Sequence, residues 1–433
     1  MQKQFLLIAF LFIFLIWATS DVFAQNKTEY FIYGDQLPDA PELSARGKFG
    51  VGVRTMDLIN KNQIDVLNSK GGVDSRYNRT IKIEVWYPIQ DTGVPELTEY
   101  EDVMGIANDP NRPLISFNFP GRAVRNAAPD LSKGPYPLII VSHGYLGSRL
   151  LFTYLTENLA SKGYVVVSID HPESTFQDPG KFPSTLLNRP LDDLFVLNEI
   201  ASLGLKESKN FLTGLVDAEK TALIGYSMGG YGVLNVAGAG FSPQAAQFFS
   251  QMTEGNNAII IRTAAAPEYK KTFDIRIKAI VAFAPWGMER GVWNEEGLEG
   301  ITIPTLFVAG DQDDISGYEK GVKAIYEGAK NSDRYLLTYL NARHNVAPNP
   351  PPFQSYAPGL DLDEYLRYAE PAWDERRINN INQHFVTAFL GIHLKGEDLQ
   401  KYLKLPLNSN DSTWTGFKPR TSVGMEFRHS KPK

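Results

Sequence analysis

Residues 221–232 read Thr-Ala-Leu-Ile-Gly-Tyr-Ser-Met-Gly-Gly-Tyr-Gly, an apolar run that passes through Gly-x-Ser-x-Gly into a helix-forming stretch. Ala222, Leu223 and Ile224 predict a short buried strand, and Val233, Leu234, Val236 and Ala237 continue a helix that starts at Met228 or Gly229. Gly225 and Gly229 leave room for a turn so tight that side chains there would collide. The helix N-terminus, with its unpaired N–H groups and the positive end of its dipole, then points at the turn. Ser227 is held exposed at the tip, beside backbone donors suited to a negative oxygen. An elbow of this kind sets a nucleophile at the end of a parallel strand, so one segment bears on both fold and chemistry.

Outward from the elbow the pattern is strand–helix alternation. Pro137-Leu-Ile-Ile-Val-Ser and Tyr164-Val-Val-Val-Ser-Ile-Asp predict strands. Between them a helix is expected over 148–162, with Leu151, Leu155 and Leu159 four apart and Gly163 at its C-terminal end. A helix over 191–203 precedes the elbow strand. Strands over 277–284, 304–309 and 335–340 follow it, and a helix over 379–394 closes the pattern. Such alternation predicts an α/β fold with a mostly parallel central sheet flanked by helices, here over residues 49–396. Two more strands, over 51–58 and 81–88, begin the domain; the second alternates apolar and polar residues as a half-buried antiparallel strand does. Residues 89–136 are rich in Pro, Asp, Asn and Gly and predict no clear element. Residues 238–275 interrupt the rhythm and predict a small insertion near the site. Residues 397–433 read as a polar C-terminal tail.

Lys3, the apolar run over 5–17 and Val22-Phe23-Ala24 predict a signal peptide over 1–24. The run is short of the roughly 20 residues that a membrane span needs, so no stable span is expected after cleavage. Residues 25–48, polar with Pro38 and Pro41, read as an extended N-terminal lead-in. The expectation is an exported bacterial protein, periplasmic or secreted. The chain has no cysteine, which excludes disulfides, thiolate zinc sites and a cysteine nucleophile. Its net charge is −6 with no basic block, which argues against a nucleic-acid partner.

Serine is a poor nucleophile until a base takes its proton, and that base is usually a histidine held by a carboxylate. Elbows of this type take their partners in the chain order Ser, then Asp or Glu, then His. Of six histidines, His344 fits best, in a loop just past the last predicted strand. His384 and His393 fall in the closing helix and read as packing or surface residues, and His429 lies in the tail. The acid is expected after the strand over 304–309, where Gly310-Asp-Gln-Asp-Asp offers three carboxylates. Asp313 is preferred because it has left the strand and can turn toward the histidine loop; Asp311 and Asp314 are the alternatives. Two backbone donors would hold the oxyanion, the N–H of Met228 and that of Tyr145 in His143-Gly144-Tyr145. His143 and His171 read as structural. No H-x-H or H-E-x-x-H spacing occurs, so neither metal nor cofactor is expected. Trp286, Tyr145 and Tyr226 are the candidate substrate-binding aromatics.

Val51-Gly-Val-Arg-Thr, Glu84-Val-Trp-Tyr-Pro, Ser142-His-Gly-Tyr, Gly163-Tyr-Val-Val-Val-Ser-Ile-Asp-His and Gly225-Tyr-Ser-Met-Gly-Gly together resemble the platelet-activating-factor acetylhydrolase-like branch of the α/β-hydrolases, often labelled "predicted dienelactone hydrolase" in bacteria. The resemblance spans residues 50 to 395. It implies the α/β-hydrolase fold and carboxylic-ester hydrolysis by Ser227, Asp313 and His344, with Tyr145 and Met228 as donors. The substrate would be a small-molecule or lipid-like ester, of short-chain or acetyl type. True dienelactone hydrolases use cysteine, so that substrate is not implied. The Gly-Tyr-Ser-Met-Gly-Gly and Ala-Pro-Trp pieces also resemble bacterial cutinase-like polyester hydrolases; that reading, another acyl hydrolase (lipase, thioesterase or peptidase) on the same residues, and a non-catalytic binding protein on this fold are the alternatives.

Overall fold

β-Branched and aliphatic runs build the centre of the molecule. The computed structural model describes residues 31–433 apart from 71–72, 91–96, 107–108, 110 and 181. The expected signal peptide and the first residues of the lead-in lie outside the described residues. The strands are β1 (Gly50–Ile64), β2 (Arg76–Ile89), β3 (Thr98–Met104), β4 (Ile115–Gly121), β5 (Val124–Arg125), β6 (Tyr136–Ser142), β7 (Val165–Asp170), β8 (Val216–Tyr226), β9 (Ile277–Phe283), β10 (Thr305–Gly310), β11 (Arg334–Tyr339) and β12 (Met425–Ser430). The helices are α1 (Thr153–Ser161), α2 (Phe182–Gly204), α3 (Met228–Val236), α4 (Pro243–Met252), α5 (Glu295–Leu298), α6 (Lys323–Gly328), α7 (Leu362–Leu366) and α8 (Glu375–Leu390).

Ten strands form one sheet in the order β12-β11-β10-β9-β8-β6-β7-β2-β1-β5. From β11 to β7 every pairing is parallel, with Phe307 opposite Leu336, Leu223 opposite Ile280 and Leu138 opposite Val165. β2 and β1 extend it antiparallel on one side, and β12 pairs antiparallel with β11 on the other. Strands covered on both faces must be apolar throughout. The period of two then divides their side chains between two helix layers. Ile139, Val141, Ala222 and Ile224 pack with Leu155 and Leu159 of α1 and Ile378, Ile381 and Phe385 of α8. Leu138, Ile140 and Leu223 pack with Val196 and Leu197 of α2 and Val233 and Leu234 of α3. The chain runs from β6 outward to β7 and then returns to the other side of β6 as β8. Between β6 and β8 the strand order therefore reverses, and such a switch point opens a crevice beyond the strand ends.

Three expectations need correction. Residues 89–136 hold an antiparallel hairpin, β3 with β4, and the short β5 beside β1. β3 does alternate buried and exposed residues, but its exposed positions are acidic and the segment is short, so composition hid the period. Residues 397–433 are not a polar tail outside the domain: Trp414 is fully buried with Phe417 in the α8 core, and β12 completes the sheet edge. The first predicted helix starts at Thr153, not at 148, because residues 149–152 form turns.

The segment 238–275 contains α4 and short turns of 3-10 helix. Its contacts run to the helix behind the nucleophile: Phe241 stacks on Tyr231 at 6.0 Å and bridges Trp293, while Arg262 donates to the Asn235 carbonyl. Among the described residues, no helix is long and apolar enough to cross a membrane.

Candidate active site

β8 ends at Tyr226 and α3 begins at Met228, leaving Ser227 alone in the turn with φ 53° and ψ −112°. A residue other than glycine adopts this backbone only when its surroundings enforce it. Here the Ser227 N–H donates to the Phe283 carbonyl at 2.9 Å, and the Ser227 carbonyl accepts from Trp286 N (3.1 Å) and Tyr231 N (2.9 Å). The two glycines have no spare space. A Cβ on Gly225 would lie 2.3 Å from the Gly229 carbonyl oxygen, and one on Gly229 would lie 1.9 Å from that of Ser142.

His344 follows β11 in the loop that crosses these strand ends. Its Nε2 lies 2.9 Å from Ser227 Oγ, and its Nδ1 lies 2.9 and 3.0 Å from the two oxygens of Asp313. An imidazole between a hydroxyl and a carboxylate carries its proton on the carboxylate side, leaving Nε2 free to accept. The Asp313 carboxylate is itself aimed by two backbone donors, Ile315 N at 2.9 Å and Ser316 N at 2.8 Å. The alternatives are engaged elsewhere: Asp311 accepts from Asn341 N, and Asp314 pairs with Arg343 at the surface. The structure thus brings together Ser227, His344 and Asp313, and leaves Asp311 and Asp314 out of the line.

The expected donors flank the switch point. Met228 N opens α3, directly after the serine, and Tyr145 N lies in the loop after β6. Among the described residues no protein acceptor takes either N–H. The Tyr145 amide is aimed from behind. The Gly144 carbonyl of the same peptide accepts from His143 Nδ1 (2.6 Å), Gly147 N (3.1 Å) and Arg189 Nη2 (3.2 Å). In a trans peptide the N–H points opposite the carbonyl, so these three donors turn the Tyr145 N–H away from Arg189. Gly144 sits against the elbow, and a Cβ there would touch Tyr226 and the Ser227 side chain.

Arg189, from the buried part of α2, was not singled out by sequence, because an arginine within an apolar helix carries no motif. It also bonds the His143 carbonyl and Ser174 Oγ. Burial lowers its pKa to about 9, while Asp193 and Asp192 oppose that shift. His143 and His171 are part of this support. The His171 ring bridges Ser142 Oγ (2.8 Å) and Asp192 (3.0 Å), and the backbone N–H of His171 donates to His143 Nε2 at 3.2 Å. His143 is therefore the Nδ1-protonated tautomer. Burial pushes His171 down to about 3 and His143 well below its ordinary range, so both stay neutral. Among the described residues no three acidic or histidine side chains are grouped to hold a metal ion.

Of the three aromatics expected in the substrate pocket, two share one surface. The half-buried Tyr145 and Trp286 both pack edge-on against Phe182, at 6.0 and 5.2 Å. Phe182 opens α2 and was not recognised in the sequence. Tyr226 is different: it is buried, its hydroxyl donates to Asn345 Oδ1 at 2.9 Å, and its ring lies 5.2 Å from that of His344. The expectation for Tyr226 is corrected accordingly. Its position before the nucleophile turns it inward, where it supports the histidine loop. His384 is buried on the inner face of the closing helix, His393 packs on Phe389, and His429 of β12 pairs with Asp333.

Comparison with known proteins gives sequence matches over part of the chain and a structural match over most of it. The family model described as PET hydrolase-like matches residues 127–257, and that of platelet-activating factor acetylhydrolase, isoform II, matches residues 54–177. Cutinase est1 of Thermobifida alba is 26% identical over 215 residues, covering 49% of this chain and 55% of its own length. Bis(hydroxyethyl) terephthalate hydrolase of Streptomyces coelicolor is 25% identical over 219 residues, covering 50% of this chain and 53% of its own. The chain thus spans about half the length of these relatives. The solved structure of a ferulic acid esterase from Streptomyces cinnamoneus superposes with a TM-score of 0.54 at 19% identity, covering 90% of this chain and 99% of that one, and shows the same fold.

Proposed function

We propose that this chain, a member of the α/β-hydrolase superfamily, is an exported serine carboxylester hydrolase that works through an acyl-enzyme. The observation that carries the reading is the unbroken line from Ser227 Oγ through the His344 ring to Asp313. In the proposed reaction His344 Nε2 takes the Ser227 proton as Oγ attacks the ester carbonyl carbon. The carbonyl oxygen becomes an oxyanion and accepts from the Met228 and Tyr145 N–H groups. Collapse of the tetrahedral intermediate breaks the bond to the alcohol oxygen, which leaves with the proton held on His344. Water, deprotonated by the same Nε2, then attacks the acyl-enzyme and releases the acid and free Ser227. Asp313 keeps the imidazole in the required tautomer and stabilises its cation.

Short-chain or acetyl-type esters are the proposed substrates. The Tyr145–Phe182–Trp286 surface also favours a second reading, an aromatic or polyester substrate, in keeping with the names of the cutinase and terephthalate-ester hydrolase relatives. The test is hydrolysis of p-nitrophenyl esters from acetyl to long-chain acyl, with bis(hydroxyethyl) terephthalate alongside, by the protein and its Ser227→Ala variant. Short-chain preference abolished in Ser227→Ala is expected. Turnover confined to the terephthalate ester would select the second reading. Ester hydrolysis that survives Ser227→Ala would overturn the mechanism. Export rests on the sequence of residues 1–24, and the mass of the protein recovered from the periplasm or medium checks it.

A further inference from the structure

Four residues at and just after the end of α7, Leu366, Arg367, Ala369 and Glu370, touch both halves of the site without reaching the reacting atoms. Glu370 is buried, and its two carboxylate oxygens accept from the amides on either side of the histidine: Oε2 from Arg343 N at 2.7 Å and Oε1 from Asn345 N at 3.0 Å. The carbonyls of Leu366 and Ala369 accept from the Asn345 side-chain amide, whose oxygen in turn takes the Tyr226 hydroxyl. Arg367, between them, donates to the Tyr145 carbonyl in the oxyanion loop. The segment is firmly mounted. α7 carries a capping box between Asp361 and Glu364, and Glu364 pairs with Arg112 at 2.9 and 3.1 Å. On the far side, Trp373 N returns to the Glu370 carbonyl and Trp373 Nε1 donates to Leu340 O.

Two N–H donors converging on one carboxylate make a charge-assisted clamp. A carboxylate satisfies both amides at once, whereas a carboxamide offers one acceptor and one donor. The choice of an acid at this buried place is therefore specific to holding the two peptides that flank His344. We propose that Glu370 is a positioning residue for the general base: it fixes the backbone on both sides of His344, and through Arg367 the same segment sets the spacing between base and oxyanion site. This rests on the serine-hydrolase reading for its effect on rate, though not for its effect on His344.

The test uses the full chain carrying Glu370→Gln, with Glu370→Asp as a second variant that keeps the charge but is one methylene too short to reach both amides. Two readouts are taken on protein verified as folded by its melting transition. For p-nitrophenyl ester hydrolysis, kcat is expected to fall about 10- to 100-fold in Glu370→Gln with KM changed less than about two-fold, the size of effect that small misplacements of reacting groups produce. Glu370→Asp should lie between this variant and the wild type. Independently of any substrate, the low-field proton resonance of His344 Nδ1–H on Asp313 should weaken in Glu370→Gln. A folded Glu370→Gln that keeps both its kcat and that resonance would overturn the proposal. A wild type that hydrolyses no ester and never labels at Ser227 with a fluorophosphonate probe would remove the hydrolase reading. The resonance would still decide whether Glu370 holds His344.

Discussion

Asp313 reaches His344 because the chain has already left β10 and turned, with Ile315 N and Ser316 N folded back onto its carboxylate. Its neighbours Asp311 and Asp314 differ in direction only, which makes the trio a controlled comparison. Asp313→Asn would present an amide where Nδ1–H needs an acceptor, and the imidazole would favour the wrong tautomer. We expect kcat for ester hydrolysis to fall on the order of 10³- to 10⁴-fold in Asp313→Asn. Asp311→Asn, which keeps an oxygen to accept from Asn341 N, and Asp314→Asn, which breaks only an exposed ion pair, should both stay within about three-fold of wild type. A large loss in Asp314→Asn with Asp313→Asn left active would reassign the acid. At this scale the sequence was informative because chemistry imposes type, order and spacing on Ser227, Asp313 and His344. Tyr226 was misread because the place of Ser227 at the tip of the turn says nothing of its neighbour's direction: an elbow turns successive side chains to different sides.

Between elements, the loop after β6 depends on α2. Arg189 is buried and its guanidinium spans the His143 and Gly144 carbonyls, so the helix aims the Tyr145 N–H through the peptide it shares with Gly144. Arg189→Met fills similar volume but removes every one of these donors. The expected result is a loss of about 100-fold in kcat with little change in KM, the size of effect seen when one oxyanion donor is misplaced. Affinity for a trifluoromethyl ketone, whose hemiketal oxygen mimics the oxyanion, should weaken in parallel. Unchanged ketone affinity in a folded Arg189→Met would show that α2 serves packing alone. Parallel strands were readable from sequence because burial on both faces makes them continuous apolar runs, as in β6, β7 and β10. The β3–β4 hairpin and β12 were not. Their outer positions are charged or polar, and what identifies them as strands is the partner edge each one finds, which no local window contains.

The lead-in around Leu43 and the segment that follows α8 meet at one buried histidine. His384 on α8 accepts the Leu43 N–H through Nδ1 at 3.1 Å. Its ring lies 5.2 Å from those of Tyr402 and Phe417, which follow the closing helix. Lys162, at the end of α1, donates to the Leu43 carbonyl at 2.6 Å and to Thr387 Oγ1 at 2.7 Å, so lead-in, closing helix and C-terminal segment are tied at one place. Burial, aided by the nearby Lys162 charge, lowers the His384 pKa to about 3, against an ordinary value of 6.5. Between those values the unfolded chain binds a proton that the folded chain refuses, so stability rises with pH across the window and is lost as pH falls from 6.5 toward 3. The slope is about 1.4 kcal/mol per pH unit, or roughly 2 kcal/mol between neutrality and pH 5. His384→Asn keeps an acceptor for Leu43 N–H but cannot titrate, so the difference between wild type and variant reports this residue together with its coupling to Lys162, whose own pKa burial lowers to about 7. The variant should be the less stable protein at pH 8, having lost part of the ring packing, and its deficit should shrink by about 2 kcal/mol in denaturant melts at pH 5. A deficit that stays constant with pH would mean that His384 takes up its proton without opening the junction. The two terminal extensions would then be held by the aromatic packing around Trp414 and Phe417 instead of the Leu43 bond.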